Sequence, residues 1–271
     1  MPSGSGPDSG FLGLPGAVTS WKDTGHVSAC ILLFHRSMAR IPRRNQLQPG
    51  DFVHTTWRGH NREWIFKNDE DKRLYLSWLA SACADAEFAL AAYSVMDSHK
   101  HDVGQTPDVS TYSAVLQRVH GTYAQHYNRK NNREGAVGTG RPASTVIQDE
   151  RHLMNAMFYV DANAVRARIV KNARDYKWCS HNYYAYGEKG EFPGELTEPE
   201  WYIRLGRTPA IRQRAYRRLF DAFMRREGMI PRPGVALGMY WGDPSWIEQR
   251  RYVSRMKTNA SVEVVDTADT S

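Results

Sequence analysis

Cysteine is scarce in this chain of 271 residues. Cys30, Cys83 and Cys179 are three in number, far apart and in no CxxC pair. That argues against a disulfide scaffold and against a thiolate zinc site, and it fits a reducing, cytoplasmic setting. Long hydrophobic runs are missing too. The longest near the N-terminus, Ala29–Phe34, falls far short of the roughly 20 residues a membrane helix needs. It also lacks the basic lead-in of a secretory signal, so no membrane partner is expected. No segment repeats, which excludes solenoids and propellers. Acidic residues are outnumbered, 29 against 36 Lys and Arg, and the resulting charge of +7 favours an anionic partner. With 41% hydrophobic and 24% charged residues, wholesale disorder and a coiled coil are excluded, and most of the chain can bury a core.

The chain divides by texture. Residues 1–37 open on a Gly/Pro/Ser-rich stretch without period and read as a disordered leader or a misassigned start. Residues 38–187 carry legible elements. Asp51–Arg58 is β-branched and aromatic, a strand. Asn68–Asp85 begins with a cap and an acidic first turn, then places Leu74, Trp78 and Leu79 on one face, a helix. Phe88–Met96 reads as a buried strand. Ser110–Asn128 spaces Tyr112, Val115, Leu116, Val119, Tyr123 and Tyr127 by three and four, an amphipathic helix. A Gly-rich connection over Arg129–Pro142 leads to a short strand, Ala143–Gln148, and a helix over Asp149–Val170. Asp175–Gly187 is an aromatic closing segment, and 188–199 reads as a linker. Residues 200–257 hold 13 Lys or Arg against 5 Asp or Glu, a basic helical extension, and 258–271 reads as a disordered tail.

Three groups of residues bear on chemistry. His99-Lys100-His101 follows the strand that ends at Met96. On a strand, residues two apart point the same way, so the two imidazoles converge, either as half of a metal site or as two surface histidines at a strand edge. Tyr159 and Asn163 are four apart in the expected helix and share a face. A tyrosine can be a covalent nucleophile, and an amide oxygen suits a hard cation. The third group, His54, Trp57, Arg58, His60 and Arg62, interleaves aromatic faces with positive charge, which suits single-stranded nucleic acid and equally an ordinary solvated basic strand and turn.

The order of these pieces resembles the single-tyrosine HUH transposases, and among them the REP-associated tyrosine transposases. The likeness runs from about Arg43 to Gly187. His54-Thr-Thr-Trp-Arg58-Gly59-His-Asn61-Arg62 is similar to the family's opening strand and turn. Ala92-Tyr93-Ser-Val-Met96-Asp-Ser-His99-Lys-His101 is similar to the strand ending in its histidine pair. Tyr123-Ala-Gln-His-Tyr127-Asn128-Arg129 resembles the central helix, Phe158-Tyr159-Val-Asp-Ala-Asn163-Ala-Val165-Arg166-Ala167 the segment of the nucleophile, and Trp178–Gly187 the closing motif.

The resemblance implies an α+β, ferredoxin-like sandwich with a central antiparallel sheet. It implies Tyr159 as nucleophile, with His99, His101 and Asn163 holding a divalent metal, Mg²⁺ or Mn²⁺. The implied partner is single-stranded or hairpin DNA, cut and rejoined through a 5′-phosphotyrosine by a monomer or a homodimer. Candidate phosphate contacts are Arg58, Arg62, Arg129, Arg141, Arg217 and Arg218.

The chain also departs from the family pattern. Lys100 stands between the histidines where the family has an apolar residue, and Asp102 and Gly104 interrupt the strand. Alternation puts Lys100 and Asp102 on one face, where they can pair. Asn163-Ala164-Val165 replaces Asn-Pro-Val. These departures suggest an alternative, a catalytically weakened or domesticated hairpin-DNA-binding protein of the same fold. A general metal-dependent hydrolase, with water as nucleophile, is a third reading. Tyr159→Phe separates them: a transposase loses cutting and keeps binding.

Overall fold

The start of three of the helices follows from one side chain each. Asn68, Asp108 and Asp149 each stand one residue before a helix and accept the backbone N–H three residues on, at Asp71, Thr111 and His152. Each thereby satisfies an amide that the helix itself leaves unpaired. The structure, a computed structural model, describes residues 41–226 and 238–268, with 260–268 described by backbone alone. The expected leader at 1–37, with Cys30, lies outside the described residues, as do 227–237 of the basic extension and the last three residues.

A short helix α1 (Arg43–Gln46) precedes strand β1 (Phe52–Arg58), helix α2 (Asp69–Asp85) and the antiparallel strands β2 (Ala89–Val95) and β3 (His99–Gln105). Helix α3 (Val109–Lys130) and strand β4 (Ala143–Ile147) follow. Then come α4 (Glu150–Asp161), α5 (Asn163–Arg166), α6 (His181–Tyr186), α7 (Glu200–Ile203), α8 (Pro209–Arg226), β5 (Tyr240–Trp241) and α9 (Pro244–Ala268). The sheet order is β2-β3-β1-β4-β5. The first four of these strands are antiparallel neighbours, and only β5 joins in parallel, on β4. From β1 to β4 the chain therefore traces the β-α-β-β-α-β path of a ferredoxin-like unit. The protein is α+β, as expected.

Alternation along β1 and β3 divides the sheet into two chemically distinct faces. Val53, Thr55 and Trp57 point toward α2 and α3: the Thr55 hydroxyl lies 2.7 Å from that of Tyr112, and Trp57 packs on Tyr75 and Tyr123. His54 meets Tyr159 of α4 on the other face. Gly104, read as an interruption, lies within β3 and has a packing role. A Cβ there would sit 2.6 Å from the Phe88 ring and 2.7 Å from the Ala89 carbonyl oxygen.

Four features differ from the sequence expectation. The histidine pair does not end the strand of residues 88–96; the chain turns at Asp97-Ser98 and the pair opens a new strand running back beside β2. The helix expected over Asp149–Val170 stops at Asp161, resumes for one turn from Asn163 and ends at Arg166, with Arg168 at a φ of 58°. No glycine or proline marks that break. Packing is continuous past Gly187: Trp201, Tyr216, Phe220 and Phe223 surround Phe158 of α4, with ring centroids 5.1–5.8 Å from it. Finally, α9 continues to Ala268, through residues that read as a tail. Among the described residues, no helix is long and apolar enough to cross a membrane.

Candidate functional site

The register of β1 on β3 sets Arg58 opposite His99, Thr56 opposite His101 and His54 opposite Val103. Alternation then presents His54, Thr56, His99 and His101 on the α4 face. His101 is buried, and its Nδ1 lies 2.8 Å from Nε2 of His54 and 3.2 Å from the Thr56 hydroxyl. His99 Nδ1 lies 3.0 Å from the Ser98 hydroxyl. The His99 and His101 rings are 5.1 Å apart, centre to centre. Burial, with Arg58 nearby, pulls His99 down to about 4, and burial, followed by His54 and His99, pulls His101 well below the usual imidazole range. Both rings are thus neutral at neutral pH, the state in which an imidazole nitrogen can hold a metal.

Helix α4 packs across β2, β3 and β4 and lays Tyr159 on this face. Its ring stands edge-on to those of His101 and His54, at 5.9 and 6.0 Å. The Arg166 guanidinium lies 4.4 Å above the Tyr159 ring, and Trp241 of β5 meets it edge-on at 6.3 Å. Tyr159 is 6% exposed. Two residues on, the buried Asp161 carboxylate accepts from the hydroxyls of Ser180 (2.7 Å) and Tyr216 (2.6 Å), with His181 at 3.6 Å. Those bonds tie the tyrosine's helix to α6 and α8.

The structure thus brings Tyr159, His99 and His101 to one face. Asn163 opens α5, one turn beyond Tyr159, and is buried with its Nδ2 unpartnered among the described residues. The arginines are less uniform. Arg58 is exposed at the end of β1 beside His99, and Arg62, Arg129 and Arg218 are exposed elsewhere. Arg141 donates to the Ile41 carbonyl. Arg217 donates to the Ala185 carbonyl and lies over the Tyr186 ring, so it serves packing.

Lys100 and Asp102 pair as alternation suggested, both buried, on the face opposite the histidines. Burial pushes the Lys100 ammonium down and the Asp102 carboxyl up, and their mutual attraction opposes both shifts. The pair leaves the imidazole face intact.

Thr56, Arg166 and Trp241 were not singled out from the sequence, and His54 was read with the nucleic-acid-facing group and not beside the histidine pair. The period-two pattern of DFVHTTWR puts His54 and Thr56 on one face, but their partner strand was not legible. Trp241 carries no local signal at all.

Each imidazole has its Nδ1 within hydrogen-bond distance of a partner, and in the tautomer that keeps the proton there Nε2 carries the lone pair a cation needs. The Asn163 amide has an orphaned end, and turning it by half exchanges nitrogen for oxygen. These three residues suit a hard or borderline divalent ion. Among the described residues, no three His, Cys, Asp or Glu side chains gather around a point that could hold one.

No family model and no curated protein matches the chain. Among solved structures it is similar to one described as the REP-associated tyrosine transposase bound to a REP hairpin. The match covers 60% of this chain and 96% of that one, at 16% identity and a TM-score of 0.45. A likeness of that degree carries no argument about chemistry.

Proposed function

We propose that the protein is a single-strand DNA endonuclease and strand transferase, a transposase, with Tyr159 as nucleophile. The observation that carries this reading is the seat of Tyr159, its ring edge-on to His101 at 5.9 Å on the face that also bears His99. The phenolic oxygen attacks the phosphorus of a backbone phosphodiester. The P–O3′ bond breaks, the phenolic proton is lost to solvent, and the 3′ oxygen leaves as a hydroxyl after taking up a proton. The segment 3′ of the cut stays on the enzyme through its 5′ phosphate, as a 5′-phosphotyrosine. The new ester keeps the energy of the broken one, so a 3′-hydroxyl can reverse the step on another strand without ATP.

His99, His101 and Asn163 would hold Mg²⁺ or Mn²⁺, whose chemistry is to polarise the phosphate and offset its developing charge. Arg58, opposite His99, supplies fixed positive charge for the backbone. Arg166 over the phenol ring holds it in place.

A second reading is favoured by one observation, the 6% exposure of Tyr159 under Arg166 and Trp241. On it, the protein grips hairpin DNA and does not cut.

Covalent trapping separates the two. A labelled single-stranded hairpin is incubated with Mg²⁺ or Mn²⁺ and wild type, Tyr159→Phe or His99→Ala. Label that stays with the protein on a denaturing gel, and vanishes in both variants, supports the transposase. Binding by wild type without any adduct supports the second reading.

A further inference from the structure

A neutral imidazole carries one proton on two nitrogens, and the bond made by one nitrogen decides the state of the other. His101 can offer Nε2 to a cation only while Nδ1 holds the proton, and Nδ1 keeps it only where a partner accepts. That partner is at hand. His54 Nε2 lies 2.8 Å from His101 Nδ1, closer than the Thr56 hydroxyl at 3.2 Å. The two rings are parallel to within 4°, with centres 5.0 Å apart. Parallel rings stacked face to face keep their nitrogens at van der Waals separation. A nitrogen pair at 2.8 Å, with centres so much farther apart, puts both nitrogens near the line between the ring centres. The rings meet edge to edge, so a donor N–H and an acceptor lone pair, each lying in its own ring plane, point straight at one another. The Thr56 hydroxyl can rotate to donate or accept, so it does not choose between tautomers. His54 is also 1% exposed, which leaves little room for water to replace it.

From this geometry we infer that His54 is a positioning residue: it accepts the Nδ1 proton of His101 on its own bare Nε2 and so keeps His101 Nε2 free for a divalent cation. The inference rests on the reading of His101 as a metal ligand. It assigns the N-terminal strand a part in the site that the histidine pair alone does not show. The opposite polarity, with His54 donating, would leave the proton on His101 Nε2 and close that nitrogen to any cation.

The test uses the full chain, labelled with ¹⁵N-histidine and free of metal. Long-range ¹H–¹⁵N spectra at neutral pH, assigned with His54→Gln and His101→Ala, read the tautomers directly. Protonated Nδ1 and bare Nε2 on both His101 and His54 is the expected pattern, and a proton on His101 Nε2 overturns the inference. Mn²⁺ titration followed by EPR gives a second readout. Loss of a partner behind a ligating histidine typically weakens metal affinity roughly 10–100-fold. His54→Phe, which keeps a ring and removes the acceptor, is expected to show that loss. His54→Gln, whose amide oxygen accepts, is expected to restore most of the affinity. His54→Phe that folds and binds Mn²⁺ as wild type does would also overturn the inference. If wild type itself binds no Mn²⁺, the metal reading fails, while the tautomer spectrum still decides what His54 does.

Discussion

The Lys100–Asp102 pair offers a sharp test of the packing described above. Lys100 is fully buried and Asp102 is 3% exposed, between the sheet and helices α2 and α3. The second carboxylate oxygen, Oδ1, has no hydrogen-bond partner among the described residues. Each charge therefore depends on the other for compensation. Removing one partner strands the other in the core, at a cost of about 3–5 kcal/mol, whereas exchanging both for apolar groups of similar volume is often neutral or stabilising. For a unit of this size 1 kcal/mol moves Tm by about 2–4 °C, so Lys100→Met alone is expected to lower Tm by roughly 6–20 °C. Asp102→Leu alone should do likewise, and Lys100→Met/Asp102→Leu should lie above both. Urea denaturation of the four proteins completes the double-mutant cycle. Two additive losses, or a single variant costing less than about 1 kcal/mol, would refute a coupled buried pair.

Other outcomes follow from the same structure. Gly104→Ala drives a methyl group into the Phe88 ring and the Ala89 carbonyl; urea unfolding should show an overpacking loss of about 1–3 kcal/mol. Tyr216→Phe takes a 2.6 Å donor from the buried Asp161 carboxylate, and the expected cost, read the same way, is about 1–3 kcal/mol. Asp108 caps α3, and hydrogen bonds from Ser110 and Thr111 lower its carboxyl to about 2, below the unfolded value of about 3.9. Its contribution is therefore present above the unfolded pKa and lost as pH falls through about 2. Asp108→Asn, which keeps the cap without the charge, should flatten the acid limb of stability against pH; an unchanged limb would argue against the shift.

Local signals carried much of the fold. The three capping residues, the period of α3 and the β-branched run of β1 announce themselves within a few neighbours. The elements that did not are set by distant contacts. Neither ALAAYSV nor HKHDVGQ alternates cleanly, because β2 and β3 have packed elements on both faces. The hairpin between them was therefore hidden, and with it the antiparallel register that brings His54 to His101. The break at Ala162 has no breaker residue. Residues 200–257 read as a basic helical extension, yet the aromatic side of 200–226 closes over Phe158. In the site, the spacing of His99 and His101 put them on one face, while the part assigned to Tyr159 came from the family resemblance. Arg166 and Trp241 came into view only with three-dimensional placement.

The central claim is covalent chemistry at one tyrosine out of 14. Its most direct measurement is peptide mass spectrometry of the protein after incubation with a single-stranded hairpin and Mn²⁺, followed by nuclease trimming. The account predicts a residual 5′-phosphonucleotide on the peptide that contains Tyr159, and on no other. An adduct on a different tyrosine, or cleaved DNA with no adduct on any peptide, would contradict it.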